Sequence, residues 1–464
     1  MIKLLRRCGF ALLTLVLPYQ VTAQTTLDAV QADAEAALVA GDPTRTISLA
    51  TDMLAIDPDR FAALFLLAIA QSELGQHSQA AVSARRAYNA APTRKTRLHA
   101  ARLGARERAE VRQLVRAELW LRRGAINISD EEDAELIVRQ YVAISQANPL
   151  SARFNFSATP TDNINNGSES ETFRLEGIPF DFFLPPERLA LEGTLYVADA
   201  LLSYRLSESS AQRTSVEAYI YAQTGRLTSE ARKTVPDFPD DTFDLYALDL
   251  SVTHQRQFED APGPASFRLG YGELWNAEGS ISTSVNLSLN QVFQLSNGDA
   301  FTIGGGYSDQ ESLAEVSITN ELTSSGSLEF RNGQTYSLNT SYGMQLSTGD
   351  RIVTSLSSKL NDGGFENTFT EHTARLDYTL AEPQLGIRWS AAYELGYREY
   401  EEIFLSLDGR RDRFGLVSVT GVLDGISYFG FSPSVTVKAE RTSSDVDVFT
   451  SSQVNARFSL QSVF

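Results

Sequence analysis

From residue 151 to the end of the chain, apolar and polar side chains alternate along a series of short segments. The clearest segment has apolar or aromatic residues on one face, namely Ile387, Trp389, Ala391, Tyr393, Leu395 and Tyr397. Its other face has Arg388, Ser390, Glu394 and Arg398. A period of two is that of a β-strand between two different environments. Soluble sandwiches and membrane barrels both show this pattern, so further features must decide between them.

Three features favour a transmembrane antiparallel β-barrel over residues 150–464. Aromatic residues recur at strand ends, as interfacial girdles require, at Tyr204, Tyr246, Trp275, Tyr307 and Tyr397. Short turns such as residues 296–299 alternate with long polar loops, of which 160–192 and 310–333 are the longest. We count about 14 segments. An even number places both barrel termini in the periplasm and these long loops outside the cell.

The third feature is the last strand, which carries Phe458, Leu460 and the terminal Phe464 on one face. A terminal aromatic strand resembles the signal that the outer-membrane assembly machinery reads. We therefore expect that machinery to be a partner during biogenesis, and outer-membrane lipid to surround the folded barrel.

Residues 1–23 have the pattern of a signal peptide. Lys3, Arg6 and Arg7 precede a short apolar stretch, and residues 21–23 form a small-residue cleavage site. An uncleaved anchor is the alternative, but the apolar stretch is too short to span a bilayer. Cleavage would remove Cys8, so we expect neither a disulfide nor a thiolate metal site in the mature chain.

The charge and hydropathy of the remaining chain exclude two classes of protein. Removal of the three positive charges of the signal changes the formal net charge from −18 to −21, which argues against nucleic-acid binding. No apolar run is long enough for a transmembrane helix. A membrane location therefore requires a closed barrel.

Residues 24–149 are rich in Ala, Leu, Arg and Glu with helical spacing, so the chain is predicted to be a multidomain protein, α then β. Pro58 and Pro92 are 34 residues apart, which is the tetratricopeptide period. Further helices near 96–122 and 131–147 would complete a stack of such repeats in the periplasm. An unrelated helical bundle is the alternative.

The same region contains a basic stretch. Residues 85–123 hold twelve Arg or Lys and three acidic residues. Such a stretch is either a docking face for an acidic partner or membrane head groups, or a solvated helix face.

No pattern indicates catalysis, a metal or a cofactor. His77, His99, His254 and His372 lack the spacing of a zinc site. The sequence has no nucleophile elbow and no phosphate-binding loop. We expect a protein that is not an enzyme.

After the first barrel segment comes a stretch that reads P-x-D-N-I-N-N, with Pro160, Asp162, Asn163, Asn165 and Asn166 as its distinctive residues. This stretch resembles the surface lipoprotein assembly modulator family. The resemblance implies a periplasmic tetratricopeptide domain, a fourteen-stranded barrel, and a role in moving lipoproteins, or in some branches soluble effectors, to the cell surface. The repeat region here is at the short end of that family.

Both the motif and the charged barrel residues have a structural and a functional interpretation. Asp and Asn beside Gly suit a turn, or the segment folds back into the lumen as a constriction or substrate contact. Arg205, Arg388, Glu394 and Arg398 either line a translocation path or, as we prefer, neutralise one another inside a plugged barrel.

These observations predict an outer-membrane translocation or assembly factor of a Gram-negative cell. Its partners would be exported proteins, chiefly lipoproteins, and periplasmic chaperones. The alternatives are a polysaccharide-export porin with periplasmic repeats, which needs a wide lumen, and a structural or adhesive barrel.

Overall fold

The structure is a computed structural model of the chain. It describes residues 17–174, 179–239, 241–259, 261–313, 332–364, 366–406, 408–423 and 431–462. The chain divides into two compact units, Met1–Asn148 and Pro149–Phe464. We call them the helical unit and the barrel unit.

The helical unit contains seven helices in its described part. They are α1 (Leu17–Val39), α2 (Pro43–Ile56), α3 (Phe61–Glu73), α4 (His77–Ala90), α5 (Arg94–Glu110), α6 (Leu114–Ala125) and α7 (Glu131–Ala147). Each helix packs against the next one along the chain. Helix α4 begins 34 residues after α2, which matches the predicted repeat. The stretch near 96–122 contains two helices rather than one, because the backbone turns at Arg112, whose φ is 59°.

Small residues allow these helices to pack closely. Ala50 and Ala63 lie in one core cluster with Met53, and Ala87 and Ala100 lie in another with Leu64. All six side chains are fully buried. Helix pairs of this kind bury their apolar faces by stacking on neighbouring pairs.

One buried carboxylate joins three of the helices. Glu107 on α5 has no exposed side-chain surface and accepts hydrogen bonds from Ser72 on α3 and Arg106, at 2.8 and 2.9 Å. It also contacts Nδ1 of His77 on α4 at 2.8 Å. Burial opposes ionisation of Glu107, but the hydrogen bonds from His77, Ser72 and Arg106 outweigh it and hold the pKa of Glu107 below its ordinary value.

We expect Glu107→Gln to lower the free energy of unfolding of the helical unit by about 2 kcal/mol at neutral pH, because the buried side chain would no longer offer a charged acceptor to Ser72, His77 and Arg106. A depressed pKa gives stability that is complete above the ordinary value of 4.5 and disappears as the pH falls through the folded-state pKa. The variant and the unmodified chain should therefore converge in acid. Thermal unfolding followed by helical circular dichroism measures this.

Glu110→Gln is the matched control, because Glu110 is on the same helix and exposed. An equal loss of stability in the control, or a Glu107→Gln difference that persists in acid, would contradict the role given to Glu107.

The barrel unit contains sixteen strands in its described part. They are β1 (Leu150–Thr161), β2 (Thr172–Arg174), β3 (Asp181–Phe183), β4 (Gly193–Glu208), β5 (Gln212–Leu227), β6 (Leu245–Gln257), β7 (Pro264–Asn276), β8 (Gly279–Gln294), β9 (Ala300–Ser312), β10 (Gly333–Gln345), β11 (Arg351–Asp362), β12 (Phe369–Thr379), β13 (Arg388–Tyr400), β14 (Arg410–Val422), β15 (Phe431–Ser444) and β16 (Ser451–Ser462). Strands β2 and β3 form a separate hairpin, and a short helix, α8 (Ser229–Thr234), follows β5.

The other fourteen strands form a closed antiparallel barrel in which β1 pairs with both β4 and β16. The predicted fold class, helices followed by a fourteen-stranded barrel, is confirmed. Residues 162–174 and 179–192 of the predicted loop 160–192 lie at the end of the barrel where β1 ends, whereas residues 160 and 161 belong to β1. Residues 175–178 of this loop, and residues 314–331 of the predicted loop 310–333, lie outside the described residues.

The outer wall of the barrel is apolar. Large side chains such as Phe156, Leu250, Leu289 and Leu356 are about half exposed there, and their strand neighbours face the lumen. Exposed apolar surface on this scale marks contact with lipid or with another protein. In the described part of the chain, no helix has the length and apolar character needed to cross a membrane. The architecture is consistent with an outer-membrane protein.

Candidate functional site

The barrel closes at a seam between β1 and β16 that is less regularly paired than the neighbouring strands. Residues 155–158 of β1 pair with 458–461 of β16, and pairing resumes only at Thr161 and Asn455. On its other side, β1 pairs with β4 from Leu150 to Thr161. Pro160 lies in the gap, and a proline cannot donate a ladder hydrogen bond. We call this junction the seam.

On the outer side of the seam lies an apolar depression. It is lined from both sides of the junction by Phe156, Tyr196, Pro433, Phe458 and Leu460, among others, and it encloses about 660 Å³. Phe458 and Leu460 are two of the residues predicted to form an assembly signal, and both point outward from β16. The third, Phe464, lies outside the described residues.

The motif residues hold the loop that follows β1. The Asn163 side chain donates to the carbonyl of Gly167 at 2.9 Å and accepts from its N–H at 2.7 Å. The Asn165 side chain donates to the carbonyl of Leu189 and accepts from the N–H of Leu191. Asn166 adopts a φ of 50°, a conformation that Asn tolerates. The motif therefore fastens residues 162–168 to residues 187–191.

The same segment contacts β16 at the end of the seam. The Asp162 carboxylate accepts from the N–H of Val454 at 3.3 Å, and the Thr161 hydroxyl donates to Gln453 at 3.3 Å. Ile164, between the motif asparagines, is buried against Leu191 and Val235. Its importance is not visible in the sequence, because the contact joins two loops without periodic patterning.

On the inner side of the seam lies a lumen cavity of about 550 Å³. Asn163 and Asn166 of the motif line it together with Glu394 and Arg398 of β13. Lys438 and Glu440 of β15 line it too, and they form an ion pair at 2.6 Å. The structure therefore brings the motif and two of the four predicted lumen charges to one cavity.

These lumen charges are paired across strands. Arg398 bonds to Glu371 at 2.5 Å and donates to the Tyr400 hydroxyl. Glu394 accepts from Arg375 at 3.1 Å, and Arg375 also bonds to Asp377. Oppositely charged residues that face each other across an antiparallel pair stabilise it. Glu394 and Arg398 therefore each bond to a side chain of opposite charge on the neighbouring strand β12.

Arg205 and Arg388 are elsewhere. Both lie toward the end of the barrel where β1 begins, Arg205 near the end of β4 and Arg388 at the start of β13. Arg205 pairs with Glu208 at 2.5 Å. Ten residues separate Arg388 from Arg398 along β13, which is about 34 Å in a strand.

Several loops pack together at the end of the barrel where β1 ends. Phe369 and Tyr400, at the ends of β12 and β13, are buried with Leu184, Ile403 and Phe449 from three different loops. The sequence does not predict this cluster, because it depends on how the loops meet. Among the described residues, no group of three or more His, Cys, Asp or Glu side chains is placed to hold a metal ion.

Comparison with protein-family models and with curated proteins yields no match. Among solved structures, the TPR2B domain of yeast Sti1 in its Hsp70 complex is 16% identical, covers 27% of this chain and 99% of its own, and has a TM-score of 0.25. The type III secretion translocator chaperone SycD of Yersinia enterocolitica is 17% identical over 27% of this chain and 86% of its own, with a TM-score of 0.25. The Sgt2 TPR domain of Aspergillus fumigatus is 22% identical over 26% of this chain and 78% of its own, with a TM-score of 0.23. Likenesses this weak establish neither a shared function nor a shared partner.

Gly167→Ala should detach the motif loop, because a Cβ at Gly167 would overlap the Leu189 carbonyl. We expect trypsin to cleave at Arg174 or Arg188 about tenfold faster, equivalent to about 1.4 kcal/mol of local stability. The barrel should still close, as its heat-modifiable electrophoretic mobility will report.

Gly343→Ala in β10 is the control, since its Cβ would meet its nearest neighbour, Val353, at an ordinary 3.8 Å. Unchanged proteolysis of Gly167→Ala would show that the loop does not depend on this close approach.

Proposed function

We propose that the protein is an outer-membrane translocation or assembly factor that helps exported proteins, chiefly lipoproteins, reach the cell surface. The helical unit would lie in the periplasm and receive the client or its chaperone, after removal of the signal peptide. The barrel-assembly machinery would insert the barrel through the strand that carries Phe458 and Leu460. The proposed role is not enzymatic.

The observation that carries this proposal is the seam. A client that passes beside or through the wall needs a junction that opens at a lower cost than the rest of the barrel. The lapse in pairing at Pro160 would make the seam such a junction, and the motif loop at its end, the polar cavity inside and the apolar depression outside support this role. The depression suits the acyl chains of a lipoprotein, and the cavity suits polypeptide.

The motif at the seam also supports membership of the surface lipoprotein assembly modulator family. Every distinctive residue of the motif lies in β1 or in the loop that joins β1 to β4. If the client passes at the barrel junction, these are positions where residue identity would matter. The family assignment remains part of the proposal.

A polysaccharide-export porin is less well supported. The cavity wall is occupied by ion pairs such as Glu371–Arg398, and loops pack over one end of the barrel. A wide, open lumen requires neither ion pairs along its wall nor loops packed at its end. Low conductance of the purified protein in planar bilayers would agree with the proposed role.

We expect a covalent link across the seam to abolish client exposure at the cell surface. Ser157 and Ser459 are directly opposed on β1 and β16, so Ser157→Cys with Ser459→Cys can be joined by an oxidant or a short bifunctional maleimide. Surface lipoproteins would then resist protease added to intact cells, and a reductant would restore exposure in the oxidised protein.

The matched control is Ser341→Cys with Ser355→Cys, a serine pair opposed on β10 and β11. Its link should leave client exposure unchanged. A gene deletion that alters the surface exposure of no lipoprotein would refute the proposed function, whereas equal activity of the two linked barrels would refute only the route through the seam.

A further inference from the structure

A second concave surface lies in the helical unit, between α4 and α6. Ser78, Val82 and Arg85 of α4 form one side, and α6 forms the other with Arg116, Leu119, Trp120 and Arg123. Arg108, near the end of α5, lies between the two sides. The cavity encloses about 490 Å³. We call it the arginine groove.

The arginine groove carries positive charge that the helical unit does not neutralise. In the part of the chain that the structure describes, Arg85, Arg108 and Arg116 form no ion pair. Burial first, and then the neighbouring charges of Arg85, Arg116 and Arg123, lower the pKa of Arg108 to about 10. An anion in the groove would offset these effects, because a neighbouring opposite charge favours the protonated guanidinium.

Two of the guanidinium groups, those of Arg108 and Arg123, are held in place by neighbouring groups. Arg108 and Arg123 both lie over the ring of Trp120, at 4.7 and 5.1 Å from its centroid. Arg108 also donates to the carbonyl of Gly104 at 2.7 Å. Cation–π contacts of this kind orient the planar guanidinium and leave its edge available for a ligand. The groove is therefore preorganised for an anion.

Apolar side chains are interspersed with the charges. Val82 and Leu119 are 50% and 44% exposed on the two sides of the groove. A ligand that fills the groove must therefore offer apolar groups as well as negative charge. A free inorganic anion offers only the charge.

We infer that the arginine groove binds an acidic, partly apolar segment of another polypeptide. Carboxylates match the fork of an arginine, with two parallel hydrogen bonds. A concave groove with a half-buried arginine suits an extended chain better than the plane of a membrane surface. Identification of the segment as part of an exported client rests on the proposed function. The inference that the groove binds an acidic segment does not rest on it.

The test uses the mature full-length chain folded in non-ionic detergent micelles. The probe is a labelled peptide in which Glu and Leu alternate, and binding is followed by fluorescence anisotropy. We expect Arg85→Gln with Arg116→Gln to weaken binding about tenfold, because two charged hydrogen-bond donors are lost. Both side chains are exposed, so the fold should be retained.

The matched control is Arg45→Gln with Lys95→Gln, which removes the same charge from exposed positions outside the groove. It should change the affinity less than about twofold. An equal loss in the control, or equal binding of a peptide in which Gln replaces Glu, would overturn the inference.

Phosphatidylglycerol added to the micelles tests whether the groove binds lipid head groups instead of an acidic peptide. Binding of this lipid without binding of the acidic peptide would assign the groove to head groups and overturn the inference as well. The two proposals can fail separately. If the protein binds the peptide but deletion of its gene alters the exposure of no surface lipoprotein, the inference about the groove stands and the proposed function is refuted.

Discussion

Hydrogen bonding of the strand backbone is the constraint on which the barrel depends. Inside a bilayer no water is available to bond an unpaired N–H or carbonyl, and each one costs several kcal/mol. The barrel meets this demand by joining its first and last strands, so the β1–β16 pairing completes the closed wall. The pairing lapses beside Pro160. Fewer paired residues hold the wall at this junction than at the neighbouring pair β1–β4, and the proposed opening depends on that difference.

Side chains of the motif segment fasten the end of the seam beyond that lapse. Asp162 accepts from the backbone of Val454, and Thr161 donates to Gln453, next to the point where pairing resumes at Thr161 and Asn455. A single hydrogen bond of this type contributes about 1 kcal/mol, so the contacts can be exchanged without unfolding of the wall. The asparagines that fix the loop make this closure specific. The structural interpretation of the motif, a turn, is thus the one that the hydrogen bonds bear out, and a functional role would act through the same contacts with β16.

Periodicity explains why most of the fold is predictable from the sequence. Apolar and polar side chains alternate over residues 387–398 because the two faces of the strand lie in different environments, and this alternation locates β13. The same pattern locates the other barrel strands. Where no period exists, prediction stops. The break at Arg112 has no Gly or Pro to announce it, although its φ is positive. The partners of Asn165, more than twenty residues away along the chain, depend on loop packing. The sequence therefore identifies the motif but not the seam that it fastens.

The charge of the whole chain makes the arginine groove more selective. The formal net charge is −18, so the field of the chain as a whole opposes the approach of an acidic segment. Repulsion elsewhere contributes to specificity as much as attraction at the site. The Glu107 network anchors the end of α5 that carries Arg108 to α3 and α4. Glu107 is buried and bonded to its own partners, so it helps to fix the position of the adjacent Arg108. Arg108 itself has no acidic partner within the described chain.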